Sequence, residues 1–367
     1  MRIMISGGGT GWHIYPGLAL ADKLKTEFKD CEILFVGSQG GMETDIIPRE
    51  GYQLETIDLE GLPRKISLGL LKAGYKSFRG LFTARRIIKD FKPDIVVGTG
   101  GYVSGALVLT AALSNVATII HEQNAYPGLT NRLLAKIVDK VALTSQAAKK
   151  HFKQQDKLVL TGNPIRPEIL KAKREESFKE LGFDRRRKLV LVFGGSRGAK
   201  SINQATIKLY QEFKQSSLQL LHISGKRDFE LIKEQAKEAG IKQLDKGNVV
   251  IKPYLYQMAA GLAAADLVVC RAGATALAEI TASALPAVLI PFPHAAENHQ
   301  EHNARALEEA GAAEVILDSE LTGDKLSSVI NNLISDSNRL AKMSEASKSL
   351  GKPQAAENLV ELVKELS

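Results

Sequence analysis

Short runs of Val, Ile and Leu alternate with longer stretches of helical spacing along all 367 residues, and that alternation permits few architectures. In the first half the runs read RIMIS, EILFVG, LETIDL, DIVVGT, ATIIHE, KVALTS and KLVLTG. In the second half they read KLVLVFGG, LQLLHISG, NVVIKPY, DLVVCRAG, PAVLIPF and AEVILD. Continuous apolar runs, each followed by a helix, are what parallel strands covered on both faces require. The expected class is α/β, with one doubly wound parallel sheet in each half.

The two halves begin alike: SGGGTGWH and FGGSRGAKS each take a strand through a glycine-rich turn into a helix. They read as two Rossmann-like domains, residues 1–163 and 164–345, whose strands end at a shared cleft. The seam falls at TGNPIRPEIL, where Asn163-Pro164 and Arg166-Pro167 break regular structure. A C-terminal amphipathic helix, about 346–367, carries Leu359, Leu362, Val363 and Leu366 on one face and is expected to pack back on the first domain.

Two cysteines, Cys31 and Cys270, sit in apolar stretches and read as reduced thiols, not a disulfide framework. No signal peptide is expected, and the uncharged run Ile95 to Ile120 contains GTGGYVSG, which lipid would leave with unsatisfied amides. It reads as buried strand, loop, helix and strand of a soluble protein. The net charge of +8 is concentrated: residues 61–92 hold nine Lys or Arg against one acid, Asp90. Such a surface suits nucleic acid, an anionic membrane or a phosphorylated substrate. No RNA-binding module accompanies it, so nucleic acid is not expected.

The glycine loops exclude several chemistries. A dinucleotide fingerprint needs G-x-G-x-x-G and an acid about 20 residues on, but Trp12 takes the third glycine position and the second strand ends in Gly-Ser-Gln. No G-K-[ST] follows either loop. GGSRG matches a nucleophile elbow around Ser196, yet no acid stands at a following strand end to complete a triad with His294, His299 or His302. What remains is a loop of amides aimed at the start of a helix beginning near Pro16, an anion site suited to a diphosphate. His13 beside it reads either as a helix cap or as a general base.

The most informative segment is ADLVVCRAGATALAEITASALPAVLIPFPHAAENHQEHNARAL. Gly273 and Ala274 leave a helix start clear for a phosphate, and Glu279 one turn on suits the two hydroxyls of a ribose. This segment resembles the donor-binding motif of nucleotide-sugar glycosyltransferases of the GT-B fold. GGGTGWHIYPGLALA, GTGGYVSG, HEQNAYPGLTNR, TGNPIR, GGSRGAKSIN and NHQEHNA extend the match in order over nearly the whole chain. Together they resemble the family that adds N-acetylglucosamine to the undecaprenyl-diphosphate-linked muramyl peptide of cell-wall synthesis.

The resemblance implies a set of roles. Arg166, Ser196 and the amides around Gly273, Ala274 and Thr275 hold the UDP diphosphate. Ile251 meets uracil through its backbone and Glu279 holds the ribose. Gln300, Asn124 and Thr10, with Gly11 and Trp12 beside them, lie at the N-acetylglucosamine. Gly8, Gly9, Gly100, Gly101 and Tyr102 cradle the acceptor diphosphate. His13 is the candidate base and Glu122 the runner-up. The reaction implied is an inverting transfer to the muramyl C4 hydroxyl, and with no Asp-x-Asp motif neither metal nor cofactor is expected.

Leu71, Tyr75, Phe78 and Phe82 fall at helical spacing beside Leu81, with Lys72, Lys76, Arg79 and Arg86 around them. They read either as a sheet-covering helix or as a patch docking peripherally on the cytoplasmic face of an anionic membrane. The implied partners are UDP-N-acetylglucosamine, a lipid-linked acceptor, that membrane surface and other cell-wall synthesis proteins. The sequence departs from the family at one place, where loops reading G-G-T-G-G-H carry Trp12 in the second-last position. Either the ring points away and transfer survives, or it blocks the acceptor diphosphate and leaves a chain that binds donor but transfers poorly. A related enzyme with another lipid-linked acceptor is the third reading.

Overall fold

Each apolar run named above forms a strand. In the computed structural model the chain divides into two compact units, Met1–Ile165 with Pro353–Ser367, and Arg166–Lys352. The structure describes residues 1–8, 11–59, 68–195 and 198–367, without the side chains of Trp12 and residues 68–78.

The first unit runs β1 (Arg2–Gly7), α1 (Gly11–Glu27), β2 (Glu32–Ser38), α2 (Glu43–Arg49), β3 (Gln53–Ile57) and α3 (Leu68–Phe91). It continues β4 (Ile95–Gly100), α4 (Tyr102–Leu113), β5 (Ala117–Glu122), α5 (Leu129–Leu134), β6 (Lys140–Leu143) and β7 (Leu158–Leu160). Its seven strands lie in the order β3-β2-β1-β4-β5-β6-β7, parallel at every described pairing. The order reverses between β1 and β4, where successive crossovers leave for opposite faces and the strand ends open a crevice.

The second unit runs α6 (Pro167–Lys171), α7 (Arg174–Leu181), β8 (Leu189–Phe193), α8 (Lys200–Lys214), β9 (Gln219–Ile223), α9 (Phe229–Glu238) and β10 (Val249–Lys252). It goes on through α10 (Met258–Ala264), β11 (Leu267–Cys270), α11 (Ala274–Ala282), β12 (Ala287–Leu289), α12 (His299–Glu309), β13 (Ala313–Val315), α13 (Gly323–Ser335) and α14 (Ser337–Leu350). Its sheet order is β10-β9-β8-β11-β12-β13, reversing between β8 and β11. Gly194 and Gly195 follow β8 and the stretch Arg271–Ala274 follows β11, so both lie at the same reversal.

Two boundaries differ from expectation. The helix expected over 346–367 is two helices, because Gly351-Lys352-Pro353 interrupts it: proline lacks the N–H that would continue the ladder. Only the second, α15 (Ala355–Leu366), belongs to the first unit. Its Leu359, Val360, Leu362 and Val363 are buried in one cluster with Ile3, Ile5, Leu20 and Leu24. Lys23–Glu357 at 3.1 Å, Lys140–Glu365 at 2.7 Å and the bond from Asn358 Nδ2 to Thr161 O at 3.0 Å fix its register. The other difference is α1, which begins at Gly11, not near Pro16, so Pro16 lies inside the helix. Trp12 and His13 therefore lie in the first turn of the helix.

Candidate active site

At the β1/β4 reversal the two glycine loops interlock. Gly8 N donates to Gly100 O at 3.3 Å. Gly100 and Gly101 adopt φ of +116° and +90°, which glycine takes readily. A Cβ on Gly101 would stand 2.7 Å from Gly8 O, and one on Gly100 would stand 2.4 Å from His13 Nδ1. Gly101 caps α4 with no side-chain bond, and neither α4 nor α1 has an acid in its first turn. Two helix N-termini without an acid in their own first turns thus follow adjacent strands, an arrangement that suits an anionic ligand. Tyr102, the first residue of α4, is 63% exposed.

His13 does not cap its own helix. Its Nδ1 donates to Thr99 O, 3.0 Å away on β4, while Thr99 Oγ1 donates to His13 O at 2.6 Å. A carbonyl only accepts, so Nδ1 carries a ring proton; in the neutral ring Nε2 then holds the lone pair, the tautomer a general base needs.

Glu122, at the end of β5, is arranged differently. Oε1 accepts from Asn124 N at 2.9 Å and Asn124 Nδ2 at 3.1 Å; Oε2 accepts from Gly128 N at 3.1 Å and Asn131 Nδ2 at 2.8 Å. Burial raises its pKa against these bonds, which lower it. A carboxylate ringed by four donors organises the loop 122–131 and holds Asn124 in place.

In the second unit α11 starts after Gly273 with no side-chain cap and no acid in its first turn. Thr275 Oγ1, in that turn, is buried with no partner among the described residues. Arg166, the residue capping α6, reaches Glu279 on α11 with both prongs: Nε to Oε1 at 2.9 Å and Nη2 to Oε2 at 3.1 Å. The two groups assigned separately to diphosphate and ribose are thus one bidentate pair. Gln300 Oε1 accepts from Phe292 N at 3.0 Å, leaving its amide nitrogen as the donor for a ligand. Ile251 N donates to Leu244 O at 2.7 Å, so any backbone contact with a base falls to its carbonyl.

Gly9, Thr10 and Ser196, and the side chain of Trp12, lie outside the described residues, as do the side chains of Leu71, Lys72, Tyr75, Lys76 and Phe78. On the rest of α3, Arg79, Phe82 and Arg86 are exposed, Phe82 to 61%, and Leu81 is half-buried. Among the described residues no helix is long and apolar enough to cross a membrane.

Several groups were missed from sequence. Glu43 is fully buried between Gly8 and Gly41, whose Cβ atoms would stand 2.2 and 2.3 Å from its carboxyl oxygens, and it accepts from Ser38 N at 2.8 Å. The glycines of SQGGME were the available signal. Arg271 donates to Ile290 O, Pro291 O, Asp318 and Ser201, locking the ends of β11 and β12 to α8. Asn163 of TGNPIR is buried with both amide atoms unpartnered among the described residues.

Two doubly wound sheets, each with a glycine loop and an uncapped helix start at its reversal point, define the GT-B class of nucleotide-sugar glycosyltransferases. The model of the glycosyltransferase family 28 N-terminal domain matches residues 3–143, and that of its C-terminal domain residues 189–359. The chain belongs to glycosyltransferase family 28. It is 50% identical over 368 residues to the UDP-N-acetylglucosamine--N-acetylmuramyl-(pentapeptide) pyrophosphoryl-undecaprenol N-acetylglucosamine transferase of Halothermothrix orenii, covering 100% of this chain and 99% of the relative. The protein of the same name from Desulforamulus reducens is 46% identical, with 100% and 99% covered. Among solved structures, Acinetobacter baumannii MurG superposes with a TM-score of 0.78 at 28% identity, over 99% of both chains.

Proposed function

We infer that the chain transfers N-acetylglucosamine from UDP-N-acetylglucosamine to the C4 hydroxyl of undecaprenyl-diphospho-N-acetylmuramoyl-pentapeptide, with inversion. The observation that carries this reading is the full-length match at 50% identity to a transferase of that name.

In the reaction, His13 Nε2 takes the hydroxyl proton as the oxygen attacks the anomeric carbon. The bond to UDP breaks and its electron pair leaves on the β-phosphate. The amides at the start of α11 and Thr275 Oγ1 face the charge that develops there, and Arg166 keeps N–H groups beyond those spent on Glu279. Each Glu279 oxygen has a second lone-pair direction, so the carboxylate can hold ribose hydroxyls while Arg166 fixes its plane. Gln300 and Asn124 serve the sugar, Ile251 O the base, and the loops around Gly8, Gly100, Gly101 and Tyr102 the acceptor diphosphate. This mechanism uses no metal, and activity is expected to persist in excess EDTA. Glu122 is assigned to the loop rather than to proton transfer, because four donors occupy it.

The apolar and basic face of α3 docks the enzyme on the anionic cytoplasmic face of the membrane, where the acceptor's lipid lies. Trp12 occupies a helical position, where the φ > 0 freedom of glycine is not needed. The test is transfer of labelled N-acetylglucosamine to a short-chain analogue of the lipid-linked acceptor, by the natural chain and Trp12→Gly in parallel. Turnover by the natural chain is expected. Turnover by neither chain refutes the assigned acceptor, and turnover by the glycine variant alone refutes accommodation of the tryptophan.

A further inference from the structure

One hydrogen-bonded series in the first unit ends on His13 and contains two side chains to which the mechanism above gives no part. It starts at Gly162 O, 2.9 Å from His121 Nε2. Because the carbonyl can only accept, that nitrogen carries the ring proton, and His121 Nδ1 keeps its lone pair. Thr144 Oγ1 lies 3.3 Å from the same Nε2 and can share its proton.

Gln123 Nε2 stands between two acceptors, 3.2 Å from His121 Nδ1 and 2.5 Å from Thr99 O. Its NH2 group has one hydrogen for each. Turned over, the amide would set its oxygen against both lone pairs, so one orientation of Gln123 fits. Thr99 O is the same atom that accepts from His13 Nδ1. Thr99, His121 and Gln123 are all at least 96% buried, so water does not substitute for a lost partner at low cost. Burial also lowers the His121 pKa to about 4, which keeps the ring neutral and the direction of the series fixed near neutrality.

We propose that His121 and Gln123 are positioning residues for the transfer, holding Thr99 O where it keeps His13 in the Nδ1–H tautomer with Nε2 as the proton acceptor. His121 acts by forbidding Gln123 to turn. A turned amide would press its oxygen on Thr99 O and drive that carbonyl off the His13 ring. The proposal rests on the transferase reading for what Nε2 receives, but the tautomer itself does not depend on it.

The experiment therefore has a spectroscopic arm and a kinetic arm, both on the full chain. Long-range proton–nitrogen correlation spectra of the protein labelled with nitrogen-15 histidine, without substrates, should show His13 protonated on Nδ1. His121→Leu should give a mixture of His13 tautomers and lower kcat about tenfold or more, with KM for UDP-N-acetylglucosamine unchanged. His121→Asn places an oxygen where Nδ1 was, can still accept from Gln123, and should restore both tautomer and kcat to within a few-fold. The proposal is overturned by a natural His13 protonated on Nε2, which requires no variant. It is also overturned if the leucine variant leaves tautomer and kcat unchanged, or if the asparagine and leucine variants are equally impaired. If the spectra behave as expected while no chain glycosylates the lipid-linked analogue, the transferase reading fails and the series stands.

Discussion

Arg166 and Glu279, 113 residues apart in sequence, meet as a fork on a carboxylate, with both prongs within 3.1 Å. The planar guanidinium fixes the plane of the carboxylate, which a lysine cannot do. Arg166→Lys is expected to weaken UDP-N-acetylglucosamine binding about tenfold, and Glu279→Gln by a similar factor. Because each residue holds the other, the double variant should lose less than the two single losses combined. Calorimetric titration of the natural chain and the three variants with UDP checks this, and strict additivity contradicts the coupling.

Gly100 bears on His13 in the same direct way. Alanine there must adopt φ of +116° and place its methyl group 2.4 Å from Nδ1. Gly100→Ala is expected to displace the ring and lower kcat about a hundredfold. UDP binding in the other unit should be untouched, so a variant that loses both has lost its fold instead.

Two buried histidines set a pH dependence. His121, in the first unit, has its pKa lowered to about 4, and His222, in the second, to about 3, both chiefly by burial. In the unfolded chain each binds a proton near pH 6.5, so the unfolded state takes up protons first as pH falls. Stability is thus fully present above pH 6.5 and is lost progressively toward the folded values. Urea unfolding at pH 7.5 and 5.0 should show a loss of about 2 kcal/mol for each histidine. His222→Asn should flatten that dependence for the second unit, and an unchanged slope would contradict this assignment.

The exposed face of α3 predicts a membrane contact that salt weakens. Phe82→Ser with Arg79→Glu and Arg86→Glu should reduce co-sedimentation with vesicles of anionic phospholipid about tenfold or more, while transfer to a water-soluble acceptor analogue persists. Equal binding of natural and substituted chains would move the docking surface elsewhere.

Most of the architecture was legible because strand and helix periods are local: an apolar run such as DIVVGT announces a buried parallel strand wherever it lies. The roles of glycines were legible for the same reason, since a strand ending in Gly98-Thr99-Gly100-Gly101 can hardly continue as sheet. Partnership was not. Little local distinguishes the glutamate that four donors surround, Glu122, from one left to act as a base: Asn124 lies two residues away, but Gly128 and Asn131 reach the second oxygen only when the loop folds back. Nor does anything near Pro16 reveal that α1 starts at Gly11, since the bonds holding that turn come from Thr99 on another strand.

The sequence by itself determined two doubly wound sheets, the strand ends where ligands belong and the family, because each follows from short-range periodicity and ordered motifs. Only the tertiary structure decided that Arg166 holds Glu279, that Thr99 selects the proton position on His13, and that α15 belongs to the first unit while α14 belongs to the second. Those are matters of distance between residues far apart in the chain, fixed by burial and by the few directions in which a buried hydrogen bond can be satisfied.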